Sequence, residues 1–311
     1  MRKSKTLFLV LAFALALLNV RSTADAKPWQ GKKNPSSKTL RSMARVYMAY
    51  GKYAKAQPFA EKALTSAKRK GASDSELARC LIDLATLYNY QGKLAEAEKM
   101  CKLGLQLQEK VLYENHPYLA YTLRTLSSIY QQQGKYRQAR SALDNAMAIM
   151  HDSHSPDDKA MAPFFVDIAK LHVAQGALEK AESYYQKAMD LINNSYGPEH
   201  LYTANVLCSI AKLYTLQERY AEAEKLINRA VTVQEKIYGS DHHLIAPSWL
   251  TKAKICQVKG DTTQAEKLIT KALIAVEKSG NAAAFAKLQQ DAKEILVSKH
   301  VAYAPIAKAI K

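Results

Sequence analysis

The sequence predicts an all-α protein in which one pair of helices is repeated along the chain. Three observations predict it. Small residues recur every 42 positions, Gly and Pro together are about half as frequent as in an average protein, and 48% of the 311 residues are hydrophobic. Few helix breakers favour long helices, and this apolar content is enough to bury a core. We therefore exclude collagen-like, turn-rich all-β and largely disordered chains.

One alanine and one glycine mark each copy of the repeat. The alanines lie at intervals of 42 residues: Ala78, Ala120, Ala162, Ala204 and Ala246. The glycines follow the same interval, with Glu218 in the fourth of five places: Gly92, Gly134, Gly176 and Gly260. An earlier copy around Gly51 is one residue short in its register. The chain therefore carries six copies over residues 38–280.

Each copy predicts two helices separated by the glycine. In the second copy, Leu77, Leu81 and Leu84 are spaced by three or four residues, which is typical of an amphipathic helix, named A. Gly92 supplies the left-handed residue that often ends a helix, and the pattern resumes at Leu94 as helix B. Two helices cannot bury both of their apolar faces alone, so each pair needs its neighbours.

The motifs over residues 84–88 (Leu-Ala-x-Leu-Tyr) and 91–98 (Gln-Gly-Lys-x-x-Glu-Ala-Glu) resemble a tetratricopeptide repeat. The 42-residue period and the linker Asn115-His116-Pro117 are similar to the long repeats of kinesin light chains. The resemblance implies a right-handed α-α superhelix, a TPR solenoid, of six helix pairs. Its concave side, lined by the A helices, would hold a peptide or partner segment. We expect a capping helix over residues 281–300 and a loose tail over 301–311.

The first 26 residues have the layout of a secretory signal peptide. A basic start at residues 2–5 is followed by an apolar run over 7–20 and by the small-x-small pair Ala24 and Ala26. We expect cleavage after Ala26 and a flexible lead-in over residues 27–37, with an uncleaved anchor as the alternative. The apolar run is shorter than the about 20 residues that span a bilayer, so an integral membrane protein is not expected. The mature chain is predicted to be periplasmic or extracellular.

The formal net charge of +17 bears on the partner. An exported chain rarely meets nucleic acid, so acidic peptides, anionic envelope polymers or membrane headgroups are the expected partners. Resemblance to the family assigns certain A-helix positions to the groove, and six of these are basic: Arg41, Arg45, Arg124, Lys170, Lys212 and Lys254. One hypothesis is that they bind an extended acidic peptide or a carboxylate terminus. The alternative is that they are solvated and only keep the solenoid soluble.

The kinesin-light-chain-like repeats commonly carry paired Asn on helix A that clamp a peptide backbone. This sequence departs from that pattern, because the corresponding places hold Ile82-Asp83, Arg124-Thr125, Val166-Asp167 and Cys208-Ser209. The four cysteines permit disulfides in an exported protein, and free buried thiols are the alternative.

His116, His200 and His242 recur at one position of the repeat. Equivalent residues of stacked helix pairs lie about 8–10 Å apart, which is too far for one metal ion. We expect these histidines to close the linker before the next helix.

No catalytic, phosphate-binding or zinc motif is found, so neither an enzyme nor a cofactor is expected. The sequence therefore predicts an exported TPR adaptor or scaffold that mediates protein–protein interaction through a basic concave groove. The alternative is a structural or tethering protein whose basic surface binds anionic envelope polymer or lipid.

Overall fold

The computed structural model describes residues 35–69, 71–152 and 158–297. These residues form α-helices joined by short turns, with no strand among them. The all-α prediction is therefore confirmed. The predicted signal peptide over residues 1–26, residues 27–34 of the lead-in and the tail over 301–311 lie outside the described residues.

Twelve helices of the described chain form six consecutive pairs. The A helices are α1 (Ser37–Ala49), α3 (Asp74–Tyr90), α5 (Pro117–Gln132), α7 (Asp158–Ala174), α9 (Leu201–Leu216) and α11 (Ala246–Val258). The B helices are α2 (Tyr53–Arg69), α4 (Leu94–Val111), α6 (Tyr136–Asp152), α8 (Leu178–Tyr196), α10 (Tyr220–Tyr238) and α12 (Thr262–Lys278). Helix α13 (Ala282–Val297) follows α12, and a short 3₁₀ turn (His243–Ile245) precedes α11. Each helix packs against its partner and against the next pair, as a TPR solenoid requires.

Each A helix from α3 onward, up to α11, is followed within two residues by one residue of positive φ. Gly92 has φ 73°, and the N–H of Lys93 donates to the carbonyl of Tyr88 at 2.9 Å. Glu218 takes the same place in the fifth pair with φ 63°, and it alone of the described non-glycine residues has a positive φ. The left-handed conformation costs a residue with a Cβ about 1–2 kcal/mol. The neighbouring pairs therefore maintain the turn even where the sequence lacks glycine.

Three linkers between a B helix and the next A helix are closed by the repeated histidines. His116 and His200 are the N-cap residues of α5 and α9, and His242 caps the 3₁₀ turn. Their Nδ1 atoms accept from backbone N–H groups two residues further on, at 3.1, 3.1 and 3.3 Å. Such a cap satisfies an N–H group that the first turn leaves without an intrahelical partner. The prediction that the histidines close the linkers is confirmed.

The core lies between the A and B helices and continues from pair to pair. The repeated alanines are fully buried. Trp249 and Phe164 are the largest of the fully buried side chains in the described residues. The four cysteines are free and buried, which is one of the two states that the sequence left open. Burial raises the pKa of the Cys80 thiol to about 11 and that of Cys101 to about 12, so both stay protonated near neutral pH. None of the described helices is both long and apolar enough to cross a membrane.

Candidate functional site: two cavities on the A-helix face

The A helices line two cavities, each with a volume of about 670 Å³. The N-terminal cavity is lined by residues of α1, α3 and α5, with Gln108 from α4. The C-terminal cavity is lined mainly by residues of α9, α11 and α13, together with Tyr53 and Tyr90 from the first two pairs. Sites for small ligands commonly measure about 300–1,000 Å³, so both cavities have a suitable size.

Five of the six predicted groove residues line these cavities. Arg41, Arg45 and Arg124 line the N-terminal cavity, and Lys212 and Lys254 line the C-terminal cavity. The sixth residue, Lys170, lines neither of the two. The structure therefore divides the predicted row of basic residues into two groups with different surroundings.

Arg41 is a buried residue that joins the first two A helices. Its Nε donates to Asp83 Oδ2 at 2.7 Å, and its Nη1 lies 3.4 Å from a carboxylate oxygen of Glu76. The side chains of Arg41 and Asp83 are only 9% and 6% exposed. Arg45 also donates to Asp83, at 2.9 Å, but its side chain is 62% exposed. Arg45 therefore presents charge to the cavity, whereas Arg41 holds α1 against α3.

The third and fourth A helices are joined in the same way. Arg124 Nε donates to Asp167 Oδ2 at 2.7 Å, and Lys170 Nζ donates to Asp167 Oδ1 at 3.1 Å. Burial acts to raise the pKa of Asp167, but Lys170 and Arg124 outweigh it and hold that pKa below its usual value. Asp83 and Asp167 stand where the family commonly carries its peptide-clamping Asn. In this chain those positions form ion pairs between neighbouring A helices.

The sequence pattern predicted the arginines of these pairs as groove residues but did not indicate their partners. The signal was present, because Asp83 follows Arg41 by 42 residues and Asp167 follows Arg124 by 43. Arg and Asp at nearly the same place in consecutive repeats face each other across two A helices. No such pair is possible between the second and third repeats, where the equivalent positions hold Ile82 and Thr125.

The N-terminal cavity is strongly basic. Its lining includes one carboxylate, Asp83, and five basic side chains: Lys38, Arg41, Arg45, Arg79 and Arg124. The Arg79 guanidinium carbon lies 5.7 Å from the centre of the Tyr118 ring, and Tyr118 is half-exposed. Tyr and Arg are the residue types that contribute most to binding at protein interfaces. Arg79 and Tyr118 were not predicted from the sequence, because neither occupies an A-helix position that the family assigns to the groove.

The lining of the C-terminal cavity combines buried apolar side chains with exposed lysines. Leu250, Leu288 and Ile295 are buried and line the cavity, and Leu216 lines it while 47% exposed. Lys212 and Lys254 are exposed, and no carboxylate of a described residue lies within ion-pair distance of either ammonium group. The cavity therefore combines an apolar surface with unpaired positive charge.

Two carboxylates of α13, Asp291 and Glu294, also line the C-terminal cavity. Burial raises the pKa of Asp291, although Lys287 and Lys212 act in the opposite direction. These carboxylates offset part of the charge of the nearby lysines without forming ion pairs with Lys212 or Lys254.

One wall of the C-terminal cavity depends on a contact between the first two pairs and the last part of the chain. We call it the closing contact and define it by Gly51, Gly92, His243 and Ala283. A Cβ added to Gly51 would overlap His243 Nε2, and one added to Gly92 would stand 3.3 Å from the Ala283 Cβ. Beside it, the rings of Tyr53 and Tyr90 stack with centroids 5.1 Å apart.

Stacked histidines lie at the closing contact. The rings of His242 and His243 have centroids 4.5 Å apart, and His242 also stacks on Tyr238 at 4.7 Å. Burial, together with His243 and Lys52, lowers the pKa of His242 to about 4. Both histidines are therefore largely neutral at pH 7, because burial also lowers the pKa of His243. In the described part of the chain, no cluster of His, Cys, Asp or Glu is arranged to hold a metal ion.

Known proteins support this architecture. A tetratricopeptide repeat family model matches residues 36–110, 85–152, 161–236 and 210–278. A search of curated proteins found no match. Among solved structures, BtubC (BKLC) from P. vanneervenii is 17% identical over 79% of this chain and 93% of that one, with a TM-score of 0.54.

Two further structures are similar. A Rap protein complexed with competence and sporulation factor is 12% identical over 83% of this chain and 75% of that one, with a TM-score of 0.61. A putative kinesin light chain from Podosopora anserina with nearly identical TPR-like repeats is 20% identical over 64% of this chain and 95% of that one, with a TM-score of 0.47. At these identities the similarity to BtubC and to the Rap protein concerns the fold alone.

Proposed function

Because this chain belongs to the tetratricopeptide repeat family, whose repeats form scaffolds for protein–protein interaction, we propose that it is an exported adaptor for an acidic segment of a partner protein. The composition of the N-terminal cavity carries the proposal, since five basic side chains and one carboxylate line it. An acidic segment would neutralise the excess charge and speed the encounter of the two proteins.

The residues of the N-terminal cavity would have different roles in binding. Arg41 is buried against Asp83, so it supports the surface rather than touching the partner. Arg45 and Arg79 would contact acidic side chains, and Tyr118 would add apolar contact area beside them. We therefore expect the loss of Arg45, Arg79 or Tyr118 to weaken binding and to leave folding unchanged.

Photo-crosslinking in intact cells tests the proposal. A photoreactive amino acid at Thr125 places the probe in the N-terminal cavity, and one at Lys99 of α4 places it at an exposed position that lines neither cavity. We expect a discrete protein adduct from Thr125 that Arg79→Glu removes and that Lys99 does not give. Identical adducts from both positions, or none from Thr125, would contradict the proposal.

Salt separates the adaptor from the tethering alternative. Exposed charges are screened over about 8 Å at physiological ionic strength, so binding through charge alone is lost between low and physiological salt. Complete release of the chain from anionic lipid vesicles or envelope polymer over that range, with no protein adduct, would favour the tether.

Export has its own test. We expect the protein recovered from the cell envelope to begin at Lys27, and a retained Met1 would contradict cleavage.

A further inference from the structure

The six predicted groove residues differ in their ion pairing between the two ends of the A-helix face. In the first four repeats, Arg41, Arg45, Arg124 and Lys170 all contact a carboxylate. Lys212 and Lys254, which occupy the place of Arg45 and Lys170 in the fifth and sixth repeats, have no such partner among the described residues. A cation beside an apolar cavity, with no ion-pair partner among the described residues, is available to a ligand.

From this difference we propose that the C-terminal cavity is a second binding site, and that it takes a small anionic amphiphile. The ligand has an apolar body of alkyl or aromatic carbon and one carboxylate or sulfonate head. Its body lies on Leu250, Leu288 and Ile295, and its head lies between Lys212 and Lys254. This site does not depend on the proposed adaptor function.

The volume of the cavity favours a small molecule. A cavity of about 670 Å³ is within the usual range for such ligands, whereas a helix of about 10 Å diameter with side chains would need a longer open groove. The closing contact places Tyr53 and Tyr90 on the opposite wall, so the cavity is bounded on that side in the unliganded chain. The ligand therefore meets a largely formed site and does not have to order it.

The charges that face the cavity select a single anionic head. Three lysines line it, Lys212, Lys254 and Lys287, against the two carboxylates of Asp291 and Glu294. The balance is one positive charge when all five groups are ionised, and His243 adds none while it is neutral. A ligand with one negative charge would match this balance, and a neutral or cationic one would leave it uncompensated.

One apolar side chain of the C-terminal cavity is exposed to solvent. Leu216 remains 47% exposed although it lines the cavity, and contact with a ligand would cover it. Ile237 on α10 has the same exposed fraction, 47%, but lines neither cavity. The chain therefore offers a matched pair of positions for a test.

The test uses 8-anilinonaphthalene-1-sulfonate as the probe, an aromatic body with one sulfonate, titrated into the purified full chain by fluorescence. We expect saturable binding with one probe per chain. Leu216→Glu and Lys254→Glu should each weaken it about tenfold or more, because one adds a charge to the apolar wall and the other reverses the charge beside the head. The controls Ile237→Glu and Lys267→Glu, exposed and outside both cavities, should leave affinity within about twofold.

The neutral analogue N-phenyl-1-naphthylamine isolates the role of the head. Binding about tenfold weaker than that of the sulfonate probe supports the proposal, since the two probes share the aromatic body. Equal affinity for the two probes would overturn the assignment of the head to the lysines. Equal affinity of Leu216→Glu and Ile237→Glu for the sulfonate probe, or no saturable binding by the unmodified chain, would overturn the site itself.

Discussion

The A-helix face treats the same kind of residue differently at its two ends. In the first and third repeats an arginine pairs with an aspartate of the following A helix, so its charge is used within the fold. In the fifth and sixth repeats, Lys212 and Lys254 keep their charge beside an apolar cavity. A basic groove residue alone therefore does not indicate a ligand, because a carboxylate of the next repeat can take up part or all of its charge.

The largest effect is expected where the pairing is most buried. Asp83→Asn leaves the buried Arg41 without its closest counter-charge, and breaking a buried ion pair costs about 3–5 kcal/mol. Urea unfolding followed by circular dichroism measures the loss. Asp167→Asn is the matched variant and should lose only about 1 kcal/mol, because Arg124 and Lys170 are part-exposed. Equal losses would remove the distinction between a buried and a solvated pair.

The closing contact supplies the next largest effect. Gly51 has φ 66° and Gly134 has φ 72°, so an alanine at either place costs about 1–2 kcal/mol in backbone strain. A Cβ at Gly51 would also overlap His243, whereas at Gly134 it meets nothing within 4 Å. We expect Gly51→Ala to lose about 3 kcal/mol and Gly134→Ala about 1 kcal/mol. The same thermal shift for both variants would show that the contact contributes nothing.

Acid is expected to weaken the closing contact. The pKa of His242 is about 4 in the folded chain, against about 6.5 when unfolded. Between these values the unfolded state binds a proton that the folded state does not, so stability falls as the pH drops from about 6.5 to 4. Because His242 is only half-buried, solvent screening reduces the stability lost through it over this range to about 2 kcal/mol.

A substitution that keeps the cap isolates this titration. His242→Asn retains an N-cap side chain but does not titrate, so its thermal midpoint should change less between pH 7 and 4.5 than that of the unmodified chain. Parallel pH profiles for the two chains would rule out His242 as the source. Measurements below pH 4 would mix in Asp167, whose lowered pKa makes its own contribution disappear in stronger acid.

The smallest effect on stability is expected for a lysine of the C-terminal cavity. Lys254→Met removes a charge that has no ion-pair partner among the described residues, so the free energy of unfolding should change by less than about 0.5 kcal/mol. Urea unfolding beside Asp83→Asn measures both ends of the face in one experiment. A loss as large as that of Asp83→Asn would mean that Lys254 supports the fold and is not reserved for a ligand.

The repeat architecture was predictable because it depends on local pattern. Buried alanines every 42 residues and a glycine after five of the six A helices determine where helices lie and how closely they pack. Glu218 shows that the repeat as a whole, and not the single residue, determines the conformation of the turn. Its own preference opposes φ 63°, yet the pairs on either side impose it.

The site was predictable only in part. The register placed five of six basic residues in the cavities, but the state of each depends on a residue one repeat away, as Asp83 and Asp167 show. The closing contact could not be predicted from the sequence. It depends on small rotations accumulated over several pairs, and no pattern within one repeat specifies where Gly51 meets His243.

That meeting of distant repeats changes how the array should come apart. In a linear stack each unit is stabilised only by its neighbours, so the terminal units fray before the middle ones. Here the loop of the first unit is held by the linker that precedes the sixth. Loss of either extremity would remove support from the other, and unfolding should approach a single cooperative step instead of a progressive unzipping.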